Sequence, residues 1–144
     1  MNVAIFMDTW AWAALFDTAN EGYGVTSLFV RKAFAQGETL VTTNFVLCEA
    51  ITLVFGRLGS RKGERFLDDL DAILKLPQCS LEEITPERFA RGISLRRRYR
   101  DKPKISFTDL TTMVVMRELG ISEILTGDRH FEAVNLGFRL APGG

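Results

Sequence analysis

The sequence predicts an α/β protein built on a mainly parallel central sheet. Three observations point there. Short apolar segments run without polar alternation, as in strands buried on both faces. Longer segments with helical spacing of apolar residues separate them. Capping and stop residues stand at the boundaries, so the pattern is strand, helix, strand, helix, which implies parallel pairing with helices on both faces.

Val3 to Met7 is the first such strand, and it ends at Asp8. Trp10 to Phe16 reads as a short helix. After Gly22 and Gly24 the positions Val25, Leu28, Phe29, Ala33 and Phe34 recur at helical spacing until Gly37 stops them. Thr39 to Thr43 predicts a second strand, with Asn44 placed to cap a helix from Phe45 to about Arg57. Gly59 separates that helix from an amphipathic one over Arg61 to Leu74. A weak strand at Cys79 to Glu83 follows Pro77. Thr85 as cap and Pro86 at the first helical position then open a helix through Tyr99. Beyond a loop at Asp101 to Lys104, Ser106 caps a helix from Phe107 to Leu119 that Gly120 ends. A strand at Glu123 to Thr126, a short helix over Asp128 to Ala133 and a last strand near Phe138 to Leu140 complete the chain.

At 144 residues and 47% hydrophobic composition, the expectation is one domain over residues 1–144 with a substantial core and Pro142 to Gly144 as a loose tail. No repeat, linker or low-complexity stretch argues for a second. Lys plus Arg and Asp plus Glu both number 18, so no global field draws the protein to a polyanion, and any such ligand is recognised locally. Cys48 and Cys79 have neither metal-site spacing nor the density of a disulfide framework, which suits reduced thiols in a cytoplasm. The N-terminus lacks a basic leader, and no stretch approaches the roughly 20 apolar residues of a spanning helix. A soluble, cytoplasmic protein without a membrane role is expected.

Four carboxylates look misplaced for a purely structural protein. Glu49 is the only charge in the segment Phe45 to Phe55. Burying an unpaired carboxylate costs several kcal/mol, so such a group calls for a cation, strong hydrogen bonds or a raised pKa. The bland alternative is an ion pair with arginine, or a helix turned to put Glu49 in water. Asp109 falls in the first turn of a largely apolar helix, where a dipole-complementing acid is common. Asp8 and Asp128 each follow an apolar strand, where the bland readings are an N-cap and a turn former. Together they say more, because ligands of parallel sheets bind at the carboxyl ends of strands. Carboxylates converging there would repel one another without a hard cation. Oxygen donors with only one histidine, His130, suit Mg²⁺ or Mn²⁺ and exclude a histidine-based zinc site.

With these residues in place the sequence resembles the PIN-domain family, and within it the VapC-like toxin nucleases of toxin–antitoxin modules. The matching pieces are Phe6-Met7-Asp8-Thr9, Glu49 in the helix after the second strand, Ser106-Phe107-Thr108-Asp109, and Leu125 to Phe131. The resemblance spans essentially the whole chain and implies a PIN-like three-layer α/β/α sandwich. It carries the family's acidic quartet onto Asp8, Glu49, Asp109 and Asp128 as catalytic and metal-holding residues, with Thr9, Ser106 and Thr126 as supporting hydroxyls. Trp10 is the departure, standing where relatives often have a small polar or aliphatic residue; it bears on packing or the pocket rim. The resemblance further implies Mg²⁺- or Mn²⁺-dependent hydrolysis of RNA leaving 3′-hydroxyl and 5′-phosphate ends, a homodimer, and an antitoxin protein that covers the site.

A basic segment, Arg96, Arg97, Arg98, Arg100, Lys102 and Lys104 around Tyr99, precedes Ser106 and Asp109. It reads either as a solvated helix end whose cations meet the dipole or as a contact for the RNA backbone, and the adjacent acids favour the RNA contact. Three other functions compete with this reading. A haloacid-dehalogenase-type phosphatase needs an acid where Trp10 stands, and a receiver domain needs a central Asp and a distal Lys that cannot be placed. A catalytically silent member of the same fold that binds RNA or protein remains the main alternative.

Overall fold

The computed structural model describes residues 3–127 and 129–141. β1 (Ala4–Met7) occupies the middle of its sheet, and its residues Ile5, Phe6 and Met7 are all essentially inaccessible. A strand with no polar face can only sit between two helical layers, which is why this run reads as apolar throughout.

The strand order is β3-β2-β1-β4-β5, with every pairing parallel. β2 (Thr39–Thr43) flanks β1 on one side, in the register Ile5 opposite Leu40. β4 (Glu123–Leu125) flanks it on the other, with Met7 opposite Leu125. β3 (Cys79–Glu82) and β5 (Arg139–Ala141) form the edges. Because the chain first builds outward from β1 and later returns to its other side, right-handed crossovers place the two sets of helices on opposite faces. The point where the order reverses lies between β1 and β4.

α1 (Thr9–Leu15) and α2 (Tyr23–Ala35) join β1 to β2. α3 (Asn44–Leu74) packs on α1 and crosses Gly59, whose φ of 85° and ψ of 173° break the helix into the two segments expected from the sequence. No side chain tolerates that φ well, so glycine marks the kink. The cap of α3 is one residue earlier than expected: Thr43 Oγ1 accepts from the Val46 N–H. Asn44 is instead a tether, its Oδ1 accepting from the Ile84 N–H at 2.7 Å and fixing the loop after β3.

α4 (Pro86–Arg98) and α5 (Phe107–Leu119) pack against each other, each with the predicted hydroxyl cap, Thr85 and Ser106. α5 ends at Gly120 in the left-handed conformation, φ 69°. α6 (His130–Ala133) begins later than the expected Asp128; that residue, like Pro142 to Gly144, lies outside the described residues. The core runs from the sheet into both helical layers, and no described helix is long and apolar enough to cross a membrane.

The loop between α4 and α5 is held by one side chain. Arg96 donates to the carbonyl oxygens of Ile105, Tyr99 and Lys102 at 2.5, 2.7 and 2.7 Å. Its guanidinium therefore fills the turn that delivers Ser106 to the start of α5.

Candidate active site

The carboxyl ends of β1 and β4 open into a cleft of about 630 Å³ lined by Asp8, Thr9, Trp10, Glu49, Ser106, Asp109 and His130 among others. This is the reversal point of the strand order, where main-chain connections diverge to opposite faces and leave a crevice.

Asp8 is nearly inaccessible, 4% exposed, and occupies the N-cap position of α1. Its side chain makes no cap hydrogen bond; its main-chain carbonyl instead accepts from the N–H groups of Ala11 and Trp12. The carboxylate is oriented from β4: Thr126 Oγ1 donates to Asp8 Oδ2 at 2.8 Å. Asp8 thus stands at the N-cap position with its carboxylate held from β4 rather than by the helix.

Asp109 sits in the first turn of α5, 8% exposed, its N–H donating to Ser106 Oγ at 3.1 Å. Ser106 thus sets the direction of the turn that carries the carboxylate. On the far side His130 Nδ1 lies 3.5 Å from Asp109 Oδ2, and His130 also lines the cleft. Thr9 Oγ1 is buried with no hydrogen-bond partner among the described residues.

Glu49 is half-buried on the cleft wall. Its helix is less uniformly covered than the sequence suggested, since Cys48 and Thr52 are exposed while Val46, Ala50 and Val54 are buried. Glu49 lies at the border of the two faces, so it meets water and the cleft at once.

The oxygen-only character of Asp8, Glu49 and Asp109, with the unsatisfied Thr9 hydroxyl beside them, fits a hard divalent cation and its water ligands. Among the described residues no group of three His, Cys, Asp or Glu forms a metal cage without further help. The fourth acid of the expected quartet, Asp128, lies outside them.

The expected basic residues divide. Lys104 lines the cleft. Arg97 and Arg100 are exposed and share a separate groove of about 450 Å³ with Arg96 and Pro103. Arg98 lies over the Tyr99 ring at 5.4 Å, and Lys102 pairs with Asp101. Arg96 is committed to the three carbonyls of its loop. Sequence reasoning missed two cleft cations, Arg57 and Arg129. Arg57 follows the apolar part of α3 by a few positions, so the helical spacing from Glu49 through Leu53 was the available signal; Arg129 adjoins the Asp128 motif.

A parallel α/β domain with carboxylates gathered at the reversal of its sheet has its candidate site where folds of this kind bind their ligands. The PIN domain profile matches residues 5–136, and the chain belongs to the PIN domain family. It is 30% identical over 129 residues to the 23S rRNA-specific endonuclease VapC20 of Mycobacterium tuberculosis, covering 90% of this chain and 92% of that one. The crystal structure of VapC20, a toxin that cleaves the sarcin-ricin loop, superimposes with a TM-score of 0.75 at 28% identity over 90% of this chain and 94% of that one. VapBC2 from Rickettsia felis, bound to a DNA fragment from its promoter, shares the fold: TM-score 0.69 at 16% identity, covering 96% and 97% of the two chains.

Proposed function

We propose that the chain is a metal-dependent endoribonuclease and the toxin of a toxin–antitoxin pair. The observation that carries this reading is the set of carboxylates Asp8, Glu49 and Asp109 on one cleft at the switch point of the sheet, with Asp8 held by Thr126. The rRNA specificity of VapC20 supports a ribosomal RNA loop as the substrate class to try first.

Asp8, Asp109 and Glu49, joined by Asp128, would hold Mg²⁺ or Mn²⁺. When bound, such an ion lowers the pKa of its water and offsets charge on the phosphodiester. The chain's own groups do the remaining work. Thr126 fixes the Asp8 carboxylate, Ser106 fixes the first turn of α5, and His130 packs against Asp109 from the α6 side. Arg57, Lys104 and Arg129, which also pairs with Glu132, line the same cleft as the acids and receive backbone phosphates next to the one that is cut. Arg97 and Arg100, on the separate groove at the end of α4, offer further cations to the same RNA. Neutral overall charge is no obstacle, because Arg57, Lys104 and Arg129 stand on the cleft itself. The hydrolysis product carries a 3′-hydroxyl and a 5′-phosphate.

As a toxin the protein acts in the cytoplasm, on RNA, and is restrained by a cognate antitoxin protein. Val25 and Leu28 on α2, 55% and 54% exposed, and Phe89 and Ile93 on α4 give it apolar surface for that partner and for a homodimer.

Induced expression in a bacterial host tests the reading. Wild type arrests growth and leaves ribosomal RNA with one new 5′-phosphate end, whereas Asp109→Asn does neither. Arrest with intact RNA, or equal arrest by the variant, overturns it.

A further inference from the structure

α1 carries two tryptophans two positions apart, and the fold uses them differently. Trp12 is 1% exposed; its Nε1 donates to Thr42 Oγ1 at 3.2 Å, and that hydroxyl donates to the Met7 carbonyl. Trp10 is only partly buried and lines the cleft with Asp8, Glu49 and Asp109. The buried face of α1 is supplied by Ala11, Trp12, Ala13 and Ala14, while Trp10 packs at the edge of the core and faces the cleft as well.

The Trp10 ring rests on main chain. A Cβ at Gly22 would stand 2.6 Å from its Cζ2, and one at Gly127 would stand 2.8 Å from its Nε1 and Cε2. Both distances are too short for any side chain, so two glycines form a slot that holds the indole in place. A fixed aromatic ring on the wall of a cleft, with carboxylates beside it and the cations Arg57 and Lys104 on the same cleft, has the elements of a single-strand binding surface.

We propose that Trp10 is a stacking platform for one unpaired base of the RNA, adjacent to the phosphate that is cut. The inference deepens the nuclease reading and rests on it. Stacking is tolerant of base identity and demands that the base be free of a helix, so Trp10 selects loops over duplex. The flanking phosphates lie on Arg57 and Lys104, and the bond to be hydrolysed lies at the acids.

The test uses Asp8→Asn protein, which binds without cutting, and a roughly ten-nucleotide single-stranded RNA, within the usual site size of such surfaces. Trp12 is sealed in the core, so fluorescence quenching on RNA addition reports Trp10. Quenching is expected, and an abasic nucleotide at one position abolishes it. Trp10→Phe keeps the affinity within about threefold, while Trp10→Leu, which preserves apolar bulk, weakens it by about tenfold or more. In the otherwise wild-type enzyme Trp10→Leu raises KM by a similar factor with kcat little changed. RNA binding, seen by polarisation, without quenching, or equal affinity of the Leu and Phe variants, overturns the platform and leaves the nuclease reading standing. Quenching by RNA that wild type cleaves in no metal ion supports the platform and overturns the nuclease reading instead.

Discussion

Thr126 Oγ1 donates a 2.8 Å hydrogen bond to Asp8 Oδ2 and so joins two residues 118 positions apart at the ends of adjacent parallel strands. The bond exists because β1 and β4 are in register, Met7 opposite Leu125, which leaves the next residue of each strand side by side at the sheet edge. Thr126→Val keeps the shape and deletes the donor. The nearly inaccessible Asp8 carboxylate then loses one charge-assisted hydrogen bond, worth about 1.5–3 kcal/mol. Cleavage is predicted to fall by about tenfold or more while the far-UV circular dichroism spectrum is unchanged, and Thr126→Ser restores most of it.

Arg96 is held by its loop, whereas Arg97 and Arg100 are exposed, and this difference can be read experimentally. Arg96→Ala removes hydrogen bonds to three carbonyls and is predicted to cost about 2–3 kcal/mol, seen as a Tm lowered by several degrees. Arg97→Ala and Arg100→Ala leave Tm unchanged and weaken RNA binding with a reduced salt dependence. Equal stability of all three would remove Arg96 from its role in the loop.

Gly127 and Trp10 form a pair that a double-mutant cycle can read. Gly127→Ala places a methyl group 2.8 Å from the indole and is predicted to destabilise by about 1–3 kcal/mol in chemical denaturation. In a Trp10→Ala background the same change costs little, because the atoms it meets are gone.

The cysteines give a chemical check on burial. Cys48 is exposed, whereas burial pushes the Cys79 thiol above its ordinary pKa. Thiolate is the reactive form, so raising the pH toward the Cys79 value speeds its alkylation while at neutral pH that residue stays mostly protonated. Peptide mapping after brief iodoacetamide treatment near neutrality is predicted to find Cys48 modified first. Preferential labelling of Cys79 would contradict the packing of β3.

Local signals carried most of the fold into the sequence. Thr85, Pro86, Ser106 and Gly120 stand at helix ends because capping chemistry is local, and β1 is apolar throughout because both its faces are covered. The misplaced cap at Asn44 shows the limit: Thr43 and Asn44 both suit an N-cap, and only the distant Ile84 N–H decides which of them is free to act as one. The same holds for the site. Asp8, Glu49 and Asp109 could be named from their strand and helix context, but the Thr126 bond depends on sheet register and the Arg96 staple on how a loop closes. Arg57 and Arg129 were hidden because cations are ordinary on a surface, and only the cleft gives these two a common purpose.

The central claim is that the acids of this cleft hold a divalent ion for RNA cleavage. Its most direct test incubates purified, antitoxin-free protein with ribosomal RNA in Mg²⁺, Mn²⁺ or EDTA, beside Asp8→Asn and Asp109→Asn, and maps the product ends. Cleavage with either ion, abolished by EDTA and by both substitutions while each variant melts no lower than wild type in EDTA, is the predicted result, since removing clustered charge relieves repulsion. Cleavage that persists in EDTA or in both variants, or variants that fail to fold, would contradict it.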